Sequence, residues 1–191
     1  MKRNAGFSLV ELVIVIVVLG LLAVAALPRF LDVTDKAKEA SVEGVAGGFA
    51  TAVLSARAQW EAEQRPRALP NNKNSNYVDY DGSYFQLTSS ENDSGLRDGY
   101  PIAYFGDDSA PTGASPTALT VAECVQLFEN LLQNPPKVGT ETEADSNTTI
   151  KYSAQLSGDN CRYTQRGSNQ STSAHYFDYD ASNGSVQVTL N

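Results

Sequence analysis

The sequence predicts an α+β chain: a long N-terminal α-helix, one half apolar enough to cross a membrane and the other amphipathic, packed on an antiparallel β-sheet globular head. Three observations predict it. Residues 7–27 form an apolar run broken only by Ser8, Glu11 and Gly20. Residues 31–63 keep amphipathic helical spacing with few breakers, and the rest is rich in turns, tyrosines and β-prone stretches. The 191 residues, 41% of them hydrophobic, suffice for one domain-sized core plus a stem. The expected divisions are a short cationic leader at 1–6, a hydrophobic helix at 7–30, its amphipathic continuation at 31–64 and a β-rich head at 65–191.

Phe7 to Leu27, about 21 residues, reads as a helix. At ~1.5 Å per residue it is roughly 32 Å long, close to the ~30 Å hydrocarbon core of a bilayer. Lys2 and Arg3 precede it, and the positive-inside bias keeps them in the cytoplasm and sends the remaining chain across. Two plainer accounts meet difficulties. Ala23-Val24-Ala25-Ala26 offers the small residues of a secretory cleavage site, but the run exceeds the ~7–15 residues of a signal-peptide core and contains an acid. For a simple anchor, Glu11 is an unrewarded cost of about 2.5–3.5 kcal/mol at mid-depth, less near the interface.

The string Gly6-Phe7-Ser8-Leu9-Val10-Glu11-Leu12-Val13-Ile14-Val15-Ile16-Val17-Val18-Leu19-Gly20-Leu21-Leu22-Ala23 resembles the N-terminal segment of type IV pilins and pseudopilins. The resemblance implies a prepilin peptidase in the inner membrane that cuts between Gly6 and Phe7, followed by N-methylation of Phe7. It also implies a head that is periplasmic until inner-membrane assembly machinery passes the subunit into an extracellular filament. A residue without Cβ at Gly6 lets a protease approach the backbone closely. Glu11 lies one helical turn after Phe7, whose freed amine, with an ordinary pKa near ~8, is mostly protonated at neutral pH. In an apolar medium the two charges attract strongly. The resemblance therefore implies that Glu11 of an incoming subunit neutralises the Phe7 amine of another pilin subunit.

Further along, Gly20 lowers helix propensity and Pro28 lacks a donor, so the Gly20–Pro28 segment is where the helix is expected to bend or unwind. Ala40, Gly44, Gly48, Ala52 and Ala56 recur every four residues and are expected to form a ridge packed on the head's own sheet. The helix should extend to about Glu61 and end near Gln64-Arg65-Pro66, because the residue before a proline leaves the α region. Asp81-Gly82 lies between β-prone runs at Tyr77–Tyr80 and Ser83–Leu87, and Asn183-Gly184 between His175–Asp180 and Val186–Leu190; both read as hairpins. Thr120-Val121-Ala122-Glu123 is a capping-box signature, and Val121, Cys124, Leu127, Phe128, Leu131 and Leu132 give one face of a short helix stopped by Asn134-Pro135-Pro136.

The two cysteines, Cys124 on that helix and Cys161 before an expected strand at Arg162–Thr164, suit one structural disulfide in an oxidising compartment; two free buried thiols are the alternative. A bridge also fits the disulfide-bounded C-terminal region that the pilin resemblance implies. Residues Ala25 to Ser41 are similar to the corresponding stretch in subunits of the mannose-sensitive haemagglutinin pili of Gram-negative bacteria. That likeness implies a pilus subunit serving surface attachment; a pseudopilin of type II secretion is the alternative.

A formal charge of −8 and a pI near 4.6 set the overall field against a nucleic-acid partner. No phosphate-binding glycine loop, nucleophile elbow or cysteine–histidine metal spacing occurs, so neither an enzyme nor a cofactor or metal site is expected. The sole histidine, His175, is read as structural. Asp178, Asp180 and Asn183 depart from EF-hand spacing and read as a polar turn rather than a calcium site. Tyr77, Tyr80, Tyr84, Tyr100 and Tyr104 are assigned mostly to the core rather than to sugar stacking. Asn92-Asp93-Ser94, Asn147-Thr148-Thr149 and Asn169-Gln170-Ser171 match the glycosylation sequon, a weak signal.

Overall fold

The computed structural model describes residues 8–69, 75–91, 95–167 and 175–191. Its first helix, α1, spans Leu9–Ala62 and is continuous through Gly20 and Pro28. The chain divides into two compact units, Met1–Ala40 and Ser41–Asn191. In the described part of the first, α1 is the only element, and the large apolar side chains described between Leu9 and Phe30 are exposed, from Val13 at 44% to Leu9 at 78%.

In the second unit α1 changes character. Val42, Ala46, Phe49, Val53, Ala56 and Trp60, spaced alternately by four and three, are essentially inaccessible to solvent. This is the stripe an amphipathic helix turns toward a core. It is not the expected small-residue ridge. Ala52 and Ala56 are buried, but Ala40, Gly44 and Gly48 are exposed. Positions four apart advance by about 40° around a helix of 3.6 residues per turn, so five of them cannot share one face. The helix ends one residue beyond the expected point. Gln64 and Arg65 take left-handed φ values of 64° and 60°, and the Arg65 N–H donates to the Trp60 carbonyl at 2.9 Å.

Three strands follow: β1 at Tyr77–Tyr80, β2 at Ser83–Leu87 and β3 at Pro101–Gly106, an antiparallel sheet in that order. Asp81 and Gly82 have φ of 55° and 85°, the two positive values a tight hairpin turn requires. Helix α2, Val121–Leu131, starts at the expected capping box: the Thr120 side chain accepts from the Glu123 N–H, and Glu123 accepts from the Thr120 N–H. The remaining elements are β4 (Val138–Thr140), α3 (Glu141–Ser146), β5 (Tyr152–Ser157), β6 (Asn160–Gln165), β7 (Tyr176–Asp180) and β8 (Ser185–Thr189). Strands β4 to β8 form a second sheet in chain order. It is antiparallel except for β4 and β5, which run parallel with α3 as the crossover.

Aromatic rings centre the core. Phe49 stands 5.2–6.3 Å from the rings of Phe128, Tyr163, Phe177 and Tyr179, so one α1 side chain gathers α2, β6 and β7. Of the five tyrosines assigned to the core, Tyr100 is buried, while Tyr77, Tyr80, Tyr84 and Tyr104 are half-buried. The fully inaccessible tyrosines are instead Tyr163 and Tyr179, with Tyr152 nearly so. Tyr100 lies under the Arg57 guanidinium, 4.4 Å from the ring centroid, and its hydroxyl accepts from Arg57. On its other side is Gly184 in the β7–β8 turn, where a Cβ would come within 2.0 Å of the ring.

Candidate functional site

The first turn of α1 carries the one carboxylate in the apolar run, and the structure gives it an intramolecular role that the sequence reading passed over. Ser8 stands immediately before the helix. Its N–H and hydroxyl donate to Glu11 Oε2 at 3.0 and 2.9 Å, and the Glu11 N–H donates to Ser8 Oγ at 3.2 Å. This is a capping box: two of the helix's orphan backbone donors, at Ser8 and Glu11, are satisfied reciprocally. Both incoming bonds fall on Oε2. Among the described residues, Oε1 accepts none. Ser8-Leu9-Val10-Glu11 has the same spacing as Thr120-Val121-Ala122-Glu123, so the capping signal is present in the sequence.

Beyond that turn, Leu9–Leu27 presents apolar side chains in every direction, and none is buried in the chain's own fold. α1 contains the one helix stretch among the described residues long and apolar enough to cross a membrane. Gly6 and Phe7, assigned to leader cleavage and N-methylation, lie outside the described residues.

Cys124 and Cys161 are brought together as a disulfide with Cα atoms 5.5 Å apart, and both are fully buried. The bridge fastens α2 to β6, and beside it the Tyr163 hydroxyl donates to the Cys124 carbonyl at 2.8 Å. The loop turn at Asp180 is polar, as expected. Asp180 accepts from the Ser182 N–H and from Asn183 Nδ2, at 2.8 and 2.7 Å. Asp178 is held elsewhere, in a two-point pair with Arg162 at 2.8 Å for each bond, and Arg162 lies over the Tyr176 ring. His175 is 8% exposed, and its Nδ1 accepts from the Asn191 N–H at 3.1 Å. It ties the residue before β7 to the segment that follows β8, a structural use.

An exposed apolar helix segment and a carboxylate capped in its first turn lie together in the N-terminal part of the described residues. The first 27 residues match the prokaryotic N-terminal methylation motif. In this segment the chain is similar to type IV pilins. The chain is 46% identical over 57 residues to the type IV narrow pilus major component PilA5 of Thermus thermophilus, covering 30% of this chain and 49% of that protein. It is 34% identical over 76 residues to the fimbrial protein EcpC of Eikenella corrodens, covering 38% and 50% of the two chains. Against the type IV major alpha-pilin of Moraxella bovis the figures are 41% over 56 residues, 29% and 35%. The chain thus spans half or less of the length of these relatives, all described as pilus or fimbrial proteins and none as an enzyme. No solved structure matches. The α+β architecture, with a long N-terminal helix and a mainly antiparallel head, is the one the sequence predicts and is consistent with a type IV pilin fold.

Proposed function

We propose that the protein is a structural subunit of a bacterial type IV pilus. The observation that carries the proposal is the pairing of the N-terminal methylation motif with an unburied apolar helix whose only carboxylate, Glu11, sits capped in its first turn. Before assembly the apolar segment holds the subunit in the inner membrane with its head in the periplasm. Prepilin peptidase cuts between Gly6 and Phe7, the new terminus is methylated, and the assembly machinery moves α1 from lipid into the filament. There the Phe7 amine of one subunit meets Glu11 of the next, and the Glu11 oxygen not used by Ser8 is the one open to that cation. Gly20 and Pro28 are the weak points at which the helix bends during transfer. The stretch from Ala25 to Ser41 favours a filament of the mannose-sensitive haemagglutinin type, whose use is surface attachment.

The mass of the mature N-terminal peptide from whole cells tests the first half of this account. Phe7 bearing one methyl group is expected, and a chain starting after Ala25 or Ala26 would overturn it. For the second half, Glu11→Ala should be cleaved normally yet be missing from sheared filaments. Wild-type levels of that variant in filaments would remove Glu11 from assembly.

A further inference from the structure

We propose that Asn147 is an N-glycosylation site, modified by a saccharide carried on a polyprenyl pyrophosphate. Four sequons occur in the chain, and their surroundings differ; the one at Asn183 has Ala181 two positions before it, and its amide nitrogen already donates to Asp180. Those at Asn92 and Asn169 lie outside the described residues, and the residues two positions before them are Ser90 and Gly167. Asn147 alone has a carboxylate there: the segment reads Asp145-Ser146-Asn147-Thr148-Thr149. A transferase reading this segment finds an acid, the acceptor amide and a hydroxyl at alternate positions, so a basic group beside its acceptor pocket would pair with Asp145.

The geometry presents these groups to solvent. Asn147 is the residue that ends α3, with extended φ and ψ of −130° and 100°, and it is half-exposed; Thr148 and Thr149 are exposed. The Asp145 side chain remains 60% exposed despite its ion pair with Arg166. Asn147 Oδ1 accepts from the Thr149 hydroxyl at 2.7 Å and from the Thr149 N–H at 3.1 Å. Both bonds fall on the amide oxygen, which fixes the amide plane and leaves Nδ2 without a partner among the described residues. The nucleophilic atom and the hydroxyl that specifies the sequon are therefore on one surface before any enzyme arrives. Lys137 Nζ donates to the same Thr149 hydroxyl at 3.0 Å and sets its orientation.

Room for the product is present as well. An open cavity of about 480 Å³ lies alongside, lined in part by Asp145, Thr148, Lys151 and Arg166. A volume of that order takes a sugar residue against polar walls. The reaction forms a bond from Asn147 Nδ2 to the anomeric carbon and breaks the bond from that carbon to the pyrophosphate oxygen. The polyprenyl pyrophosphate leaves with the electron pair, and one amide proton passes to base; nothing is oxidised or reduced. The proposal rests on the pilin reading in one respect, that the head lies across the membrane from the cytoplasm.

Peptide mass spectrometry of the full chain from its own host, with fragmentation that keeps side-chain modifications attached, tests it. The peptide containing Asn147 is expected to carry a saccharide mass, lost in Asn147→Gln and Thr149→Ala, kept in Thr149→Ser, and at least about tenfold rarer in Asp145→Ala. The same digest reports the state of Phe7. An unmodified Asn147 in chains whose Phe7 is methylated overturns the glycosylation proposal and leaves the pilin reading standing. A saccharide that persists in Asn147→Gln, or one equally abundant in Asp145→Ala, likewise overturns this site or its recognition. An unmethylated Phe7 counts against the pilin reading instead.

Discussion

The two halves of α1 share a secondary structure and differ in what becomes of their apolar side chains. Between Leu9 and Phe30 large hydrophobic residues point all round the helix and stay exposed; between Val42 and Trp60 most fall on one stripe and are buried, Leu54 being the exposed exception. In the first half the hydrophobic effect has no outlet within the chain, so it favours insertion in lipid or packing against other chains. In the second it is already spent on folding the head. If the protein is the pilus subunit proposed above, the difference teaches that stability and assembly are encoded in separate stretches of one helix, and that a substitution in either should disturb one property and spare the other.

The strongest way to break that separation is a matched pair of truncations. Phe49→Ala removes the ring at the centre of the core and should cost about 3–5 kcal/mol, read from urea unfolding of the head. Ile16→Ala, 57% exposed in the wild type, should leave the same unfolding curve unchanged. A shared loss would mean that the apolar half supports the head after all. Replacing both Cys124 and Cys161 with Ser opens a loop of 37 residues' separation and should lower stability by about 4 kcal/mol on chain-entropy grounds, while leader processing continues.

A smaller effect is expected from the buried tyrosines. Burial pushes the Tyr163 and Tyr179 hydroxyls well above the ordinary tyrosine range. Their unfolded-state pKa lies near ~10. A raised folded value means that the folded head holds protons the unfolded chain would release, so their contribution is complete below about pH 10 and is lost as pH rises beyond it. Tyrosinate absorbance should therefore show two groups that ionise only as the head unfolds, and a smooth titration of all tyrosines would contradict this. Tyr179→Phe, which removes the donor to the Pro101 carbonyl at 2.7 Å, should cost about 1–3 kcal/mol by leaving that oxygen unsatisfied.

The finest comparison uses the same motif in both regions. Thr120→Ala should cost the head about 1 kcal/mol, the usual worth of an N-cap side chain. Ser8→Ala should cost the head nothing and instead reduce the amount of subunit found in filaments, with Ser8→Thr restoring it. Equal filament yield from Ser8→Ala would confine the first capping box to a local structural role.

Much of this division was legible in the sequence because it rests on local pattern. The apolar run, the capping box at Thr120, the Asp81-Gly82 turn and the end of α1 each follow from a handful of adjacent residues. What escaped was set by distant partners. Strand β4 is three residues long and pairs in parallel with β5, and no periodicity can be read from three residues. Strand β3 opens on Pro101, a residue that argues against a strand unless the missing N–H falls at its start. The core tyrosines could not be ranked by composition alone, because Tyr152, Tyr163 and Tyr179 are inward by the register of their strands rather than by local hydrophobicity. The disulfide needed only the count of two cysteines, whereas the bidentate Arg162–Asp178 pair depends on β6 and β7 being neighbours in register.

Surface turns of the head are also where a fluorophore or epitope would be placed to watch the protein in living cells. The β7–β8 turn looks suitable from sequence, yet Gly184 there faces the Tyr100 ring at a distance that admits no side chain. An insertion at that point would displace Tyr100 and with it the Arg57 contact on α1. The β5–β6 turn has no such neighbour: around Gly158 nothing lies within 4 Å of where a Cβ would stand. A tag belongs there, where it can report on the molecule without prising the head from the helix that carries it.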